Sequence, residues 1–200
     1  MPKILTDSER EYIKQKLIKE AKLCLTQFGI RKTTVDELVR RVNIPKGTFY
    51  LFYKSKDLLF FDVLCTFHDE LQSKLMSQVS DLQENMNPPK LTKLIFGLYK
   101  MVEESFMLTL LTNGQIESLI RRLPPEVAIA HAKKDDLSVE ELLAMIPTIE
   151  KSNIKVFSAA LRGIFFSMLH KHEIGEDVFD DAIMTMIHGI VILMFEGGDR

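Results

Sequence analysis

Between a helix that can end at Val42 and another that can begin at Pro45, only Asn43 and Ile44 are available. Asn43 tolerates the left-handed conformation that stops a helix. Proline suits a first helical turn because it lacks an N–H that the turn leaves idle. Two short helices joined by so tight a corner must cross steeply, which is the geometry of a helix-turn-helix. The first of the pair opens on Thr34-Val35-Asp36-Glu37, a capping box, and turns Val35, Leu38, Val39 and Val42 inward. An earlier box, Thr6-Asp7-Ser8-Glu9, opens a longer helix with Ile13, Leu17, Ala21, Cys24 and Phe28 on its inner stripe and Gly29 as its stop.

Apolar spacing of three and four recurs along nearly the whole chain and strand-like alternation is scarce, so the fold class is all-α. Ser55 can cap a long helix over 56–80, and the stretch from Asn85 to Lys90, with Pro88 and Pro89, breaks the chain. Helices are expected over 91–112, 115–122, 125–134 and 138–146, punctuated by Gly114 and Pro124-Pro125. The last two, over 150–172 and 176–195, are apolar on almost every side. Such helices need cover all round. A second copy of the chain supplies it if the C-terminal pairs form a four-helix bundle; the interior of one subunit is the alternative.

A chain of 200 residues has room for two domains. Its net charge of −2 hides an asymmetry. Residues 1–60 hold thirteen Lys and Arg against seven Asp and Glu, a charge of +6, while the other 140 carry −8. The basic part is drawn to a polyanion and the acidic part is not. No apolar run approaches the roughly 18 residues of a membrane span, and MPKILTDSEREY lacks the apolar core of a signal peptide, so a cytoplasmic protein is expected. Cys24 and Cys65 form no CxxC pair and read as free thiols in apolar helices. GxSxG, P-loop and HExxH patterns are absent, which speaks against an enzyme. His170 and His172, two apart on a helix, face different sides, so neither a metal nor a cofactor is expected.

Residues 44–59, IPKGTFYLFYKSKDLL, are too polar for a buried helix and too aromatic for an ordinary loop. A helix that reads DNA must bring its first turn close, because base edges lie deep in the major groove. Gly47 removes bulk there, although glycine inside a helix costs about 1 kcal/mol against alanine. Thr48 and Tyr50 offer hydroxyls to phosphate oxygens, and Lys46, Lys54 and Lys56 add the charge attraction that dominates affinity. Thr34 seats a phosphate at a helix N-terminus. Phe49 and Tyr53 face inward, against Leu38, Val39 and Phe28.

The stretch from Arg31 to Leu59 resembles the N-terminal DNA-binding domain of the TetR/AcrR family of bacterial transcriptional repressors. TTV precedes the second helix, KGTFY lies in the third and SKDLL opens the fourth. The resemblance covers about residues 8–60; beyond it only length and helical character agree. It implies that Lys46, Gly47 and Thr48 lie at the duplex, while Thr34, Tyr50, Lys54 and Lys56 hold the phosphate backbone. Asn43 stands where the family usually has Gly, Pro45 where it has Ser or Thr, Phe52 where it has His or Tyr, and Tyr53 where it has Phe.

The implied architecture is a three-helix helix-turn-helix domain over 1–55, joined by a long helix to a ligand-binding and dimerisation domain over 56–200. The implied function is a repressor that binds a palindromic double-stranded operator as a homodimer through the two C-terminal helices and is released by a small effector. Ten Met and thirteen Phe point to an apolar effector. Candidate lining residues are Phe96, Tyr99, Met107, Arg162, Phe166 and His170; Arg162 can pair an effector carboxylate, an acidic neighbour or solvent. A DNA-binding regulator without a small effector, and a helical adaptor whose basic face meets an acidic protein, are the rival readings.

Overall fold

The computed structural model describes residues 5–82, 86–129 and 153–196, together with 140, 143, 144 and 146. Among the described residues all regular structure is helical. The chain forms two compact units, one of Met1–His68 with Thr109–Ala128 and one of Asp69–Leu108 with Ile129–Arg200. The first unit thus runs past residue 55, where a domain boundary is expected, to His68 inside a helix, and a later segment joins it. The reason is visible in burial. Leu59, Phe60, Val63 and Leu64 belong to the core that the opening helices build.

In the first unit, α1 spans Asp7–Lys32, α2 Val35–Val42, α3 Lys46–Phe49, and α4 begins at Lys56 and runs to Leu82. Thr6 and Glu9 form the reciprocal box: the Glu9 N–H donates to Thr6 Oγ1 at 3.2 Å and the Thr6 N–H to Glu9 Oε2 at 2.9 Å. Leu17, Ala21 and Cys24 line the inner stripe of α1, and burial pushes the Cys24 thiol pKa up. Phe28 departs from that stripe. It is 46% exposed and carries the Arg41 guanidinium over its ring at 5.7 Å. Gly29, with φ 73° and ψ −179°, kinks the helix there, and Leu25 and Ile30 fill the core in its place. Neither Cys24 nor Cys65 is part of a disulfide.

The later segment of this unit, Thr109–Ala128, holds the end of α6, which spans Phe106–Thr112, then α7 at Gln115–Ile120 and most of a helical turn over 125–129. The single helix expected over 91–112 is two, α5 at Pro88–Glu103 and α6. Ser105 causes the break: its hydroxyl donates to the Val102 carbonyl at 2.8 Å and accepts the Met107 N–H at 3.1 Å, offering the backbone an alternative to the helix. The helices expected over 125–134 and 138–146 lie largely outside the described residues.

The second unit is built from α5, α8 at Ile154–Phe166, a 3₁₀ turn at Ser167–His170, α9 at Lys171–Ile174 and α10 at Phe179–Phe195. Its centre is α10, which packs on α5 and α8. Phe179, Ile183, Ile187, Val191 and Met194 follow one another at four, four, four and three residues and form a single buried stripe. At one end Lys100 binds Glu103 and Asp180, and Lys171 also binds Glu103. Burial alone would raise the Glu103 pKa, but hydrogen bonds from the two ammonium groups outweigh it and hold the carboxyl below its ordinary range. The opposite side of α8 and α10 stays open, with Val156, Phe166, Met186 and Leu193 exposed. Among the described residues, then, these helices are covered on one side only.

Candidate nucleic-acid interface

Asn43 ends α2 in the left-handed conformation, φ 62° and ψ 52°, and its N–H returns to the Arg40 carbonyl. Pro45 then stands at the N-cap of α3 without a side-chain bond to it, as its lack of a hydroxyl requires. The regular part of α3 is one turn, continued by turns through Tyr53, whose N–H reaches the Phe49 carbonyl at 3.0 Å. Phe49 is the anchor. It is fully buried, meets Tyr50 edge-on at 5.3 Å and lies 6.2 Å from the Tyr53 ring. Tyr53 is buried too, and its hydroxyl donates to Asp62 Oδ2 at 2.6 Å, while desolvation and that bond push its pKa up.

With Phe49 and Tyr53 turned inward, the other side of this segment is presented to solvent. Lys46, Gly47, Tyr50 and Lys54 are exposed and Thr48 is half-buried. A Cβ added to Gly47 would meet nothing within 4 Å, so nothing in the described chain requires glycine there. Thr34 is exposed at the N-cap of α2, where Oγ1 accepts the Glu37 N–H at 3.2 Å. All of these residues are thus at least partly open to solvent. Leu51, which the sequence reading passed over, is 62% exposed beside Tyr50; an apolar residue among inward-facing aromatics carries no local sign of pointing outward.

Two cations differ from expectation. Lys46 is ion-paired with Asp36 at 2.8 Å, and that bond raises the pKa of its ammonium group. Lys56, expected at phosphate, instead donates to the carbonyls of Ile30 at 3.2 Å and Thr33 at 2.8 Å. Those carbonyls end the last turn of α1, where the helix leaves acceptors without partners and a cation is favourable. The box at Thr34 is also only half formed. Glu37 accepts from Arg40 at 2.8 and 3.1 Å and from Arg41 at 2.6 Å, and these bonds hold its carboxyl down at about 2. Two guanidinium groups outcompete one backbone N–H for the same carboxylate.

The candidate effector residues do not gather in one place. Phe96 and Tyr99 stack with ring centroids 6.2 Å apart. Tyr99 is buried, burial pushes its pKa up, and its hydroxyl has no hydrogen-bond partner among the described residues. Met107 is half-buried in α6. Arg162, Phe166 and His170 lie on the exposed side of α8 and the 3₁₀ turn, with Arg162 Nη2 3.4 Å from Ser158 Oγ. Among the described residues no group of His, Cys, Asp and Glu could hold a metal ion, and no helix is long and apolar enough to cross a membrane.

Residues 17–63 match the family described as bacterial regulatory proteins, tetR family. Over 62 residues the chain is 40% identical to an uncharacterized HTH-type transcriptional regulator of Bacillus subtilis, YhgD, a match covering 30% of this chain and 32% of that protein. The chain thus spans about a third of the length of that relative. Among solved structures it resembles a TetR-family transcriptional regulator of Mesorhizobium loti, with a TM-score of 0.69 at 14% identity over 94% of this chain and 98% of that one. It also resembles the TetR-family repressor FadR of Thermus thermophilus, solved with lauroyl-CoA, with a TM-score of 0.58 at 16% identity over 92% and 94% of the two chains. These proteins are regulators rather than enzymes. With the helix-turn-helix geometry, the matched segment and the shared fold in hand, residues 17–63 form a DNA-binding segment of the tetR family of bacterial regulatory proteins, in a chain that shares its fold with regulators of that family.

Proposed function

We propose that the chain is a repressor that reads a palindromic operator in double-stranded DNA as a homodimer, acts in the cytoplasm and is released by a small apolar effector. One observation carries the reading: Gly47 fronts α3 with open space beyond its Cα, while Thr34 at the N-cap of α2 and Thr48, Tyr50 and Lys54 in and after α3 offer exposed or half-buried hydroxyls and a cation. A solvent-facing glycine in a helix makes the protein less stable and suits the approach of another molecule. Hydroxyls and ammonium groups at that spot suit phosphate oxygens. The pairing of subunits is supported by the open face of α8 and α10, where Ile164, Met186, Gly189, Ile190 and Leu193 line an apolar groove of about 540 Å³. A two-fold bundle would cover it, and helix-turn-helix dimers place half-sites about 10 bp apart or at multiples of that.

The effector is the finer part of the proposal. The stacked Phe96 and Tyr99 favour an apolar molecule, while the outward placement of Arg162, Phe166 and His170 favours a regulator that answers to no small effector. Selection of bound sequences from random duplexes tests the core claim. An inverted repeat should emerge, and one dimer should bind each copy of it; recovery of no preferred sequence would refute operator reading. Screening apolar acids and their thioesters for release of that duplex then decides between the two regulatory readings.

A further inference from the structure

The Ile30 peptide group is held from both sides by residues distant in sequence. Its carbonyl accepts from Lys56, and its N–H donates to Gln115 Oε1 at 2.7 Å. In an unbroken helix that N–H would bond the carbonyl four residues back; the kink at Gly29 turns it away, and Ile30 is buried, so it needs another acceptor. The Gln115 amide lies so close over Gly29 that a Cβ there would sit 2.8 Å from Oε1 and 3.0 Å from Nε2. Seven residues later Arg122 grips Asp57 in two-pronged fashion, Nε and Nη2 each 3.1 Å from a carboxylate oxygen, and steadies itself on Ser118 Oγ at 2.8 Å. Asp57 lies in the first turn of α4, beside Lys56.

One short segment, 115–122, thus ties down both chain stretches that bracket the reading element: residues 30–34, which lead into α2, and residues 53–57, which lead out of α3. Lys56 closes the frame by joining the second stretch to the first. Between those stretches α2 is held to α1 by Lys16, which donates to the Val42 carbonyl at 3.0 Å, and α3 by the buried Phe49, so the 115–122 segment fixes the two ends of the element rather than its middle. From this geometry we infer that Gln115 and Arg122 are positioning residues for DNA binding, setting the placement of α2 and α3 without touching the duplex. The inference rests on the DNA-reading function proposed above.

The test uses the full-length protein and the duplex recovered with the wild-type chain, with affinity measured across a salt series at a temperature where every variant is folded by circular dichroism. Gln115→Ala and Arg122→Ala should each weaken binding by about ten-fold while leaving the slope of log affinity on log salt unchanged, because no phosphate contact is lost. Gln115→Glu, which keeps an acceptor for the Ile30 N–H, should restore most of the affinity. Arg121→Ala, an exposed neighbour losing the same charge, should bind like wild type. Should Gln115→Ala not fold, Arg122→Lys carries the test, since it keeps the charge and loses the two-pronged grip. Wild-type affinity in the scored variants, or a loss that Arg121→Ala matches or that appears in the salt slope, would overturn the inference. Failure of the wild-type chain to bind any duplex would instead overturn the function on which it rests.

Discussion

Around α3 each side chain has its own assignment, whereas along α10 only the stripe matters. In the reading segment Phe49 anchors, Tyr53 holds Asp62, Gly47 leaves space and Asn43 turns the chain. On α10 the inward positions hold Phe, Ile, Val and Met in succession, and volume and apolarity suffice. The match to the tetR family falls on the same side of this line: residues 17–63 include the reading segment and not α10. A double helix presents the same geometry to every reader, so it constrains residues one at a time. A helical bundle constrains only its pattern.

The contrast can be broken most decisively on α10. Leu193 is 48% exposed in the single chain, so Leu193→Glu should leave the subunit folded; if α8 and α10 pair across a two-fold axis, the variant should sediment as a monomer. Operator affinity should then fall by about 100-fold or more, because the second half-site is no longer held at high effective concentration. A dimeric Leu193→Glu would refute this interface.

On the reading side, Gly47→Ala should move two measurements in opposite directions. Thermal or urea unfolding should show a gain of about 1 kcal/mol, from helix propensity without a clash. Binding to the selected duplex should weaken by about ten-fold, because the added methyl stands where bases must approach. Equal or tighter binding would show that α3 does not face DNA through Gly47.

The two lysines beside α4 sharpen the same contrast. Lys54 is exposed, so Lys54→Ala should reduce the salt slope of binding by about one unit with little effect on unfolding. Lys56 holds two carbonyls, so Lys56→Met should destabilise the fold by about 2 kcal/mol and leave the salt slope alone. The reverse pattern would return Lys56 to the phosphate backbone.

The smallest effect is expected at Glu37, on the surface of α2. Its carboxyl titrates at about 2 in the folded protein, held down by hydrogen bonds from Arg40 and Arg41, against an ordinary value of 4.5. A depressed folded value means that its stabilisation is complete above about 4.5 and is lost as pH falls through about 2. Replacement by Gln should therefore flatten the acid limb of a melting-temperature profile in that window and leave the neutral limb nearly unchanged.

What was legible in the sequence was local. Thr6 and Glu9 stand three apart and cap each other because a helix start brings those positions together. Asn43 turns because its own side chain tolerates positive φ, and Phe49 is inward because its neighbours at three and four are apolar. Phe28 was misplaced because a 3.6-residue period was carried into the last turn before a kink. Glu37 was misassigned because its box had to compete with two arginines close by in the same helix.

By itself the sequence determined the helices of the reading unit, their caps, the tight corner and the residues turned toward solvent at α3, since each follows from atoms within a few residues. Only tertiary structure decided that Lys56 faces inward to carbonyls 23 and 26 residues back, that Gln115 completes a peptide 85 residues away, and that α7 belongs with the reading unit. Such pairings leave no period in the chain. They exist because a kinked helix exposes polar groups that must be satisfied, and whichever side chain the fold brings there satisfies them.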